Sequence, residues 1–208
     1  MFTFEINKLV HAIIYFAIHT NQIRLGKTKL MKLLYFSDFR HMKEYDRPII
    51  GDTYSKYQGG PVPNSSYKII TAAEKINFNL EEDAPDIIEL VTKLKNAIEI
   101  GKTKIGFNGY SDQITFTPKI VFDPKVFSKS DLKTLEAVAK EFYNDTGAEI
   151  SNKSHKEKGW KSVGFYENID YKFALDSEEE VKQFEEYRSY WDKTIEDFNL
   201  ALSYAKHD

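Results

Sequence analysis

The sequence contains no cysteine among its 208 residues. This absence excludes disulfide bonds, cysteine-ligated zinc, iron–sulfur clusters and catalysis by a thiolate. No uninterrupted apolar run approaches the roughly 18 residues of a membrane-spanning helix, so we expect no membrane span. The first five residues, Met-Phe-Thr-Phe-Glu, lack the charged start of a secretory signal. We therefore expect a reducing, cytoplasmic location.

Neither sign of charge dominates the composition. Lysine and arginine number 29 against 32 acidic residues, which gives a formal net charge of −3. A chain so close to neutrality is not a general electrostatic binder of nucleic acid. Hydrophobic residues make up 41% and aromatic residues 14%, which is enough for a real core and excludes wholesale disorder.

Hydrophobic periodicity predicts a fold that is mainly α with a small β-hairpin element. Alternating apolar residues around Asn108-Gly109 predict a hairpin over 104–117, with a loop longer than two residues. Apolar residues at three- and four-residue steps predict helices at about 4–19, 29–45, 64–76, 85–100, 131–143 and 177–206, with a short helical piece at 148–151.

Residues at the predicted helix ends suit capping. Thr3, Thr28 and Asn64 are predicted N-caps, because their side chains can accept a hydrogen bond from the first helical amides. Gly101 is predicted to end the helix that starts at Pro85. The spacing of Ser177-Glu178-Glu179-Glu180 predicts a capping box at the start of the last helix.

The last predicted helix can pack either on its own domain or on a partner. We predict one compact helical domain over 1–170 and an extension over 171–208 that packs on that domain or on a partner. Packing on its own domain is the favoured interpretation, since most amphipathic helices do that. The alternative is that a partner or a second copy covers part of the stripe. The apolar stripe of this helix consists of Val181, Phe184, Trp191, Ile195, Phe198, Leu202 and Ala205.

The sequence contains few motifs for catalysis or for binding a nucleotide or a metal. Gly26-Lys27-Thr28 lacks the upstream glycine of a phosphate-binding loop, and no two histidines have the spacing of a helical metal site. We therefore expect no catalytic residue, no cofactor and no metal. Asp38 and Asp52 could share an acid–base site. A structural role, as caps or as ion-pair partners of Arg40 or Lys56, is the favoured interpretation.

Charge is distributed unevenly along the chain. Residues 21–60 carry eight lysines and arginines against four acids, a net +4, and this segment is the only support for a DNA-binding role. Residues 177–200 carry three against eight, a net −5. Such a run is most often a solvated helix face, but it can also speed encounter with a basic partner.

Three segments of the first third have a distinctive order and spacing. They are Lys-Leu-Met-Lys-Leu-Leu-Tyr-Phe-Ser-Asp at 29–38, Arg-Pro-Ile-Ile-Gly-Asp at 47–52 and Tyr-Gln-Gly-Gly-Pro-Val-Pro at 57–63. Ser154-His155 and Trp160 add a later element. Together these residues resemble the Panacea domain of the SocA-like antitoxins, which is common on phages and mobile elements.

The resemblance covers about 25–165 and is strongest at 29–63, whereas 80–125 matches poorly. It implies an antitoxin of a toxin–antitoxin system that binds a cognate toxin, usually encoded next door, and it implies no enzyme activity. Some members act as adaptors that hand the toxin to a protease. The expected partner-binding residues are Tyr35, Asp38, Tyr54, Tyr57, Gly60, Pro61, Trp160 and Trp191.

Other functions stay open at this point. They are a proteolytic adaptor, a DNA-binding regulator, for which no helix-turn-helix is recognisable, and, last, a hydrolase at a cleft of Asp38, Asp52 and Tyr57. The expected partner is the toxin, with a protease or a second copy as alternatives. No membrane or nucleic-acid partner is expected.

Overall fold

The structure, a computed structural model, describes residues 2–75, 85–105 and 111–205. Within them the fold is mainly α with two small antiparallel sheets, which confirms the predicted fold class. The helices are α1 (Ile6–His19), α2 (Lys27–Tyr45), α3 (Asn64–Glu74), α4 (Pro85–Ala97), α5 (Lys129–Glu141), α6 (Gly147–Ser154), α7 (Lys158–Ser162) and α8 (Glu178–Ala205). The strands are β1 (Tyr54–Tyr57), β2 (Gly60–Pro63), β3 (Ile98–Ile105), β4 (Ser111–Pro118) and β5 (Asn168–Ile169).

Helix α2 lies at the centre of the core, as its apolar residues on nearly every side predict. It contacts α1, α5, α6 and β2, and its Leu30, Leu33 and Leu34 are fully buried. The helix ends at Asp46, which has a left-handed backbone conformation. Pro48 follows two residues later, and a proline disfavours the helical conformation in the residue before it. Helix α2 therefore supplies the scaffold on which the motif residues are placed.

The predicted hairpin is confirmed as β3 and β4, which pair from Ile98 opposite Pro118 to Ile105 opposite Ser111. Its turn, with Asn108-Gly109, lies outside the described residues. Gly101 does not end a helix, so that prediction is wrong: α4 stops at Ala97 and Gly101 lies in β3 opposite Thr115. Pairing with β4 overrides the helical pattern there.

A second sheet has the strand order β2-β1-β5 and contains the glycine-rich motif. Tyr54 of β1 pairs with Pro63 of β2 on one side and with Ile169 of β5 on the other. The sequence analysis predicts no strand pairing in this segment. Strand β5 is joined to β1 from more than 100 residues away, which no local pattern reveals.

The three predicted N-caps are wrong. The N-cap residues of α1, α2 and α3 are Glu5, Gly26 and Pro63 in place of Thr3, Thr28 and Asn64. For α3 the reason is tertiary, because the Asp52 carboxylate accepts hydrogen bonds from the amides of Ser65 and Ser66 at 2.9 and 2.8 Å. A remote carboxylate thus caps the helix.

The capping box of α8 is confirmed. The Glu180 amide donates to Ser177 Oγ at 3.1 Å, and the Ser177 amide donates to Glu180 Oε2 at 2.9 Å. Reciprocal bonds of this kind satisfy amides that a helix start leaves without partners. The helix that follows spans 28 residues, as long as predicted.

The first half of α8 packs on the main body. Phe184 stacks on Phe2 with ring centroids 6.1 Å apart, and Arg188 Nη1 lies 2.6 Å from Asp170 Oδ2. Residues 189–197 are all exposed. Packing on its own domain, the favoured interpretation, therefore describes the helix as far as Arg188, and the described residues after it, 189–197, are exposed.

The boundary predicted at residue 170 stays a prediction. Beyond it, the Tyr171 hydroxyl reaches Asp38 in the core at 2.9 Å, and Leu175 is buried. The main body therefore continues at least to Leu175. No helix in the described ranges is long and apolar enough to cross a membrane.

Candidate partner-binding surface

Asp38 holds the Pro-Ile-Ile-Gly motif from inside the fold. Its carboxylate is fully buried on α2 and accepts five hydrogen bonds. Oδ1 accepts from the amides of Ile49 and Ile50 at 3.0 and 2.7 Å. Oδ2 accepts from the Gly51 amide and from the hydroxyls of Tyr54 and Tyr171, at 3.1, 3.0 and 2.9 Å.

These bonds give Asp38 a structural role. Burial raises its pKa to about 6, while the Ile50 amide and the two tyrosine hydroxyls act in the opposite direction. Neither predicted ion pair forms, since Arg40 pairs with Glu141 and Lys56 donates to a backbone carbonyl. Asp52 is likewise engaged at the start of α3, so both carboxylates have structural partners, and the acid–base alternative stays a prediction.

The glycine-rich motif is held from below by α2 and α6. Gly60 has a φ of +98°, and a Cβ there would lie 2.6 Å from Lys32 Cε and even closer to the hydroxyl of Ser154. Lys32 Nζ donates to the Pro61 carbonyl at 2.7 Å, and Ser151 Oγ donates to the Gly59 carbonyl. Glycine is required at position 60 both for its backbone conformation and for space.

Lys32 makes stability depend on pH. Desolvation lowers its pKa to about 7, below the usual value near 10.4, so the unfolded chain binds more protons between those values. We expect the free energy of unfolding to rise from pH 7.5 to pH 9.5. Lys32→Met should flatten this rise when urea unfolding of both proteins is measured across the range.

Lys29 serves as an internal reference for that experiment. Its pKa is also lowered by burial, to about 8, and it is present in both proteins. A residual slope in Lys32→Met is therefore expected. Identical slopes in wild type and variant would show that Lys32 is not the source of the pH dependence.

Five of the eight expected partner-binding residues are buried. Tyr35, Asp38 and Tyr54 are at most 1% exposed, and Gly60 and Pro61 lie beneath the surface as well. In the folded domain these five residues support the motif from inside, and their role in partner binding stays a prediction. Tyr57 and Trp191 are exposed and Trp160 is half-buried, and their role in partner binding stays a prediction.

Tyr57 and Trp160 belong to an aromatic cluster on the surface above this support, which we define as Tyr57, Trp160, Phe165 and Tyr166. Tyr57 and Tyr166 meet edge to face at 5.3 Å, and Trp160 and Phe165 do so at 6.2 Å. The exposed fractions of Tyr57, Phe165 and Tyr166 are 40%, 53% and 71%. Three large rings therefore face solvent together.

Several contacts fix the aromatic cluster in place. Trp160 stacks on His155 at 4.2 Å and donates from Nε1 to the Tyr57 carbonyl at 3.1 Å. Lys56 Nζ lies 4.3 Å from the centroid of the Trp160 ring, a cation–π contact. Tyr166 has a left-handed φ of 69°, and its amide donates to the Lys56 carbonyl at 2.7 Å. Strained residues of this kind occur at functional sites when the surrounding structure holds them.

Sequence reasoning missed two members of the cluster. Phe165 and Tyr166 lie in the connection between α7 and β5, where neither helical nor alternating periodicity marks them. A weak signal was available, since two adjacent large aromatics follow Gly164 in a polar segment. Their position beside Tyr57 depends on the pairing of β1 with β5.

A cleft of about 440 Å³ lies between α8 and the main body. Strand β5 and the Gly51–Thr53 segment form its floor, and α8 forms its side. Trp191, the remaining expected residue, lines this cleft. The other large apolar side chains of its lining are Phe2, Phe184, Tyr187 and Ile195.

A model of the family described as antitoxin SocA-like, Panacea domain, matches residues 30–161, which is more than half of the chain. The chain belongs to this family. Its Panacea domain runs from Leu30 in α2 to Lys161 in α7, so it contains Asp38, the glycine-rich motif and Trp160. The resemblance seen in the sequence is thereby confirmed.

Two parts of the described surface lie beyond the matched Panacea segment. Phe165 and Tyr166 follow its end, and α8 is wholly outside it. No curated protein and no solved structure matched the chain. Membership of the SocA-like family supports an antitoxin role in general, which implies a toxin as the partner.

Proposed function

We propose that this Panacea-domain protein neutralises a cognate toxin by direct protein–protein binding, with the aromatic cluster as the contact surface. The family supplies the class of function. The observation that carries the surface is the exposure of Tyr57, Phe165 and Tyr166 on a scaffold that the rest of the fold holds rigid. Tyrosine and other aromatics are enriched at the centres of protein interfaces.

Rigidity matters for affinity. Each side chain that binding immobilises costs about 0.5–1.5 kcal/mol. The half-buried Trp160 ring is held by its hydrogen bond and by its stacking on His155, and the Tyr166 ring rests edge to face on Tyr57. The fold therefore orders part of this apolar area before the toxin binds, which lowers the entropy cost of binding.

The charges of 21–60 do not support the DNA-binding alternative, because the net +4 is not a surface patch. Lys29 and Lys32 are buried, and Lys56 lies against the aromatic cluster. The other five lysines and arginines each have an acidic partner, in the pairs Arg24–Glu149, Lys27–Glu74, Arg40–Glu141, Lys43–Asp176 and Arg47–Asp131. Binding to DNA needs exposed lysines and arginines that can neutralise phosphates and so release the counterions condensed on the nucleic acid.

Co-expression with the neighbouring reading frame tests the proposal. We expect that frame to arrest growth when expressed alone, and growth to be restored when this protein is present. We also expect the two purified proteins to elute as one complex. No rescue, together with no complex, would contradict the proposal.

The same experiment separates direct neutralisation from protease delivery. A direct inhibitor leaves the amount of toxin unchanged or higher, because the complex protects it. An adaptor lowers the amount of toxin, and its rescue is lost when the host protease is absent. Quantitative immunoblots of the toxin during rescue distinguish these outcomes.

A further inference from the structure

We propose that the toxin makes a second contact, on residues 187–196 of α8, through a segment that carries apolar side chains next to lysines or arginines. This inference rests on the proposed function, since it concerns the same toxin. It names a separate surface and the chemistry of the segment that fits it.

The apolar side of the surface is formed by one face of α8. Tyr187, Trp191 and Ile195 follow one another at four-residue steps, so they lie on the same side of the helix. Trp191 is 43% exposed and Ile195 is 45% exposed, although both line the cleft. The cleft is therefore only partly filled by the chain itself. Phe198 and Leu202, which continue the stripe in the sequence, lie outside the residues whose side chains are described.

The flank of this stripe is acidic. Glu185, Asp192 and Glu196 lie on one side of the helix and line a shallow groove, together with Arg188 and Lys193. Glu185 pairs with Lys172 and Arg188 with Asp170, so Asp192 and Glu196 are the acids that the test addresses. Residues 177–200 carry a net charge of −5. A segment with lysine or arginine beside its apolar side chains complements this flank, and opposite charge speeds encounter.

The same charge disfavours a second copy as the occupant. Two α8 helices packed against each other would bring two segments of −5 together, and like charges across an interface are costly. A basic partner meets no such repulsion. The charge therefore selects a different protein over self-association.

The cleft and the aromatic cluster are formed by neighbouring residues of the same strands and loops. Thr53 lines the cleft and Tyr57, four residues further along the chain, belongs to the cluster, which at roughly 3.3 Å per residue places them about 13 Å apart. Asn168 lines the cleft and follows Tyr166 by two residues. One partner that covers about 800 Å² can reach both surfaces.

Two sets of variants test the inference by titration calorimetry with the purified toxin. Trp191→Ala removes the apolar anchor, and Asp192→Lys/Glu196→Lys reverses the acidic flank. The matched control, Glu186→Lys/Asp197→Lys, makes the same change of net charge on a different side of the helix. We expect Kd to rise at least about tenfold in the first two, as hot-spot losses do, and less than about threefold in the control.

The outcomes separate this inference from the proposed function. If wild type binds the toxin and all variants bind equally well, the second contact is overturned and the antitoxin proposal stands. If both double variants weaken binding equally, general charge and not a docking surface is responsible, which also overturns it. If wild type does not bind at all, both proposals fail.

Two controls keep the result interpretable. Circular dichroism melting should be nearly unchanged in every variant, because the altered side chains are exposed. Size-exclusion chromatography of the free protein identifies the competing occupant. If Trp191→Ala dissociates a dimer and leaves toxin affinity intact, the stripe serves self-association and the inference is wrong.

Discussion

Replacing Asp38 with alanine is expected to leave most of the protein unfolded at 25 °C. Three backbone amides and two tyrosine hydroxyls lose their shared acceptor inside the core. The Tyr171 hydroxyl can donate to the Asp52 carbonyl at 2.8 Å instead, so four donors are left without a partner. Each such buried donor costs about 1–3 kcal/mol, and four of them approach the whole stability of a typical domain, about 5–15 kcal/mol. Far-UV circular dichroism and urea titration measure the loss.

Two other variants bracket this result. Asp38→Asn keeps the shape and one acceptor oxygen, so we expect an intermediate loss of stability. Asp176→Ala removes an exposed carboxylate that pairs with Lys43 on the surface, and it should unfold at nearly the same urea concentration as wild type. If Asp38→Ala unfolds at the same urea concentration as Asp176→Ala, the buried carboxylate does not hold the motif.

Tyr57→Ala is expected to weaken toxin binding about 30-fold or more while the fold stays intact. Truncating an aromatic anchor at the centre of an interface costs about 2 kcal/mol or more. The ring is 40% exposed and its one described ring contact is with Tyr166, so few interactions inside the domain are lost. We expect the melting temperature to fall by only a few degrees.

The control for this variant is Tyr143→Ala. Tyr143 is 46% exposed and lies outside the aromatic cluster, so the same truncation is made at a matched exposure. It should leave toxin affinity unchanged. A structural role for Tyr57 would give the opposite pattern, with a large fall in melting temperature and normal affinity of the folded fraction.

The helices could be predicted because their signals are local. Apolar residues at three- and four-residue steps marked α1, α2 and α5 to within about two residues. The sheet that contains the motif could not be predicted, since β1 and β2 have four residues each and β5 has two. Strands so short carry little pattern, and β5 finds its partner by long-range folding.

The motif located the site but not its surface. Tyr54 and Tyr57 were both expected to bind the partner, but Tyr54 points inward to Asp38 and Tyr57 lies on the surface. Gly60 and Pro61 are distinctive in sequence because they are packed tightly over Lys32. A distinctive sequence motif therefore identified residues that support the fold as readily as residues that lie on the surface.

The net charge of residues 21–60 did not predict a basic surface, because the acidic partners of these residues lie far away in the sequence. The acidic partners of Arg40 and Arg47 are Glu141 and Asp131, about 100 and 84 residues away. A window of 40 residues counts the cations and misses these partners. Net charge was informative only for α8, whose described residues 189–197 are exposed and carry their charge in solvent.

Hydrogen–deuterium exchange of this protein with and without its toxin tests the central claim most directly. The account predicts that the toxin slows exchange at residues 54–60 and 163–168, around the aromatic cluster, and at 187–197 in α8. Protection confined to other parts of the chain, such as α1 or the β3–β4 hairpin, with these segments unchanged, would contradict it.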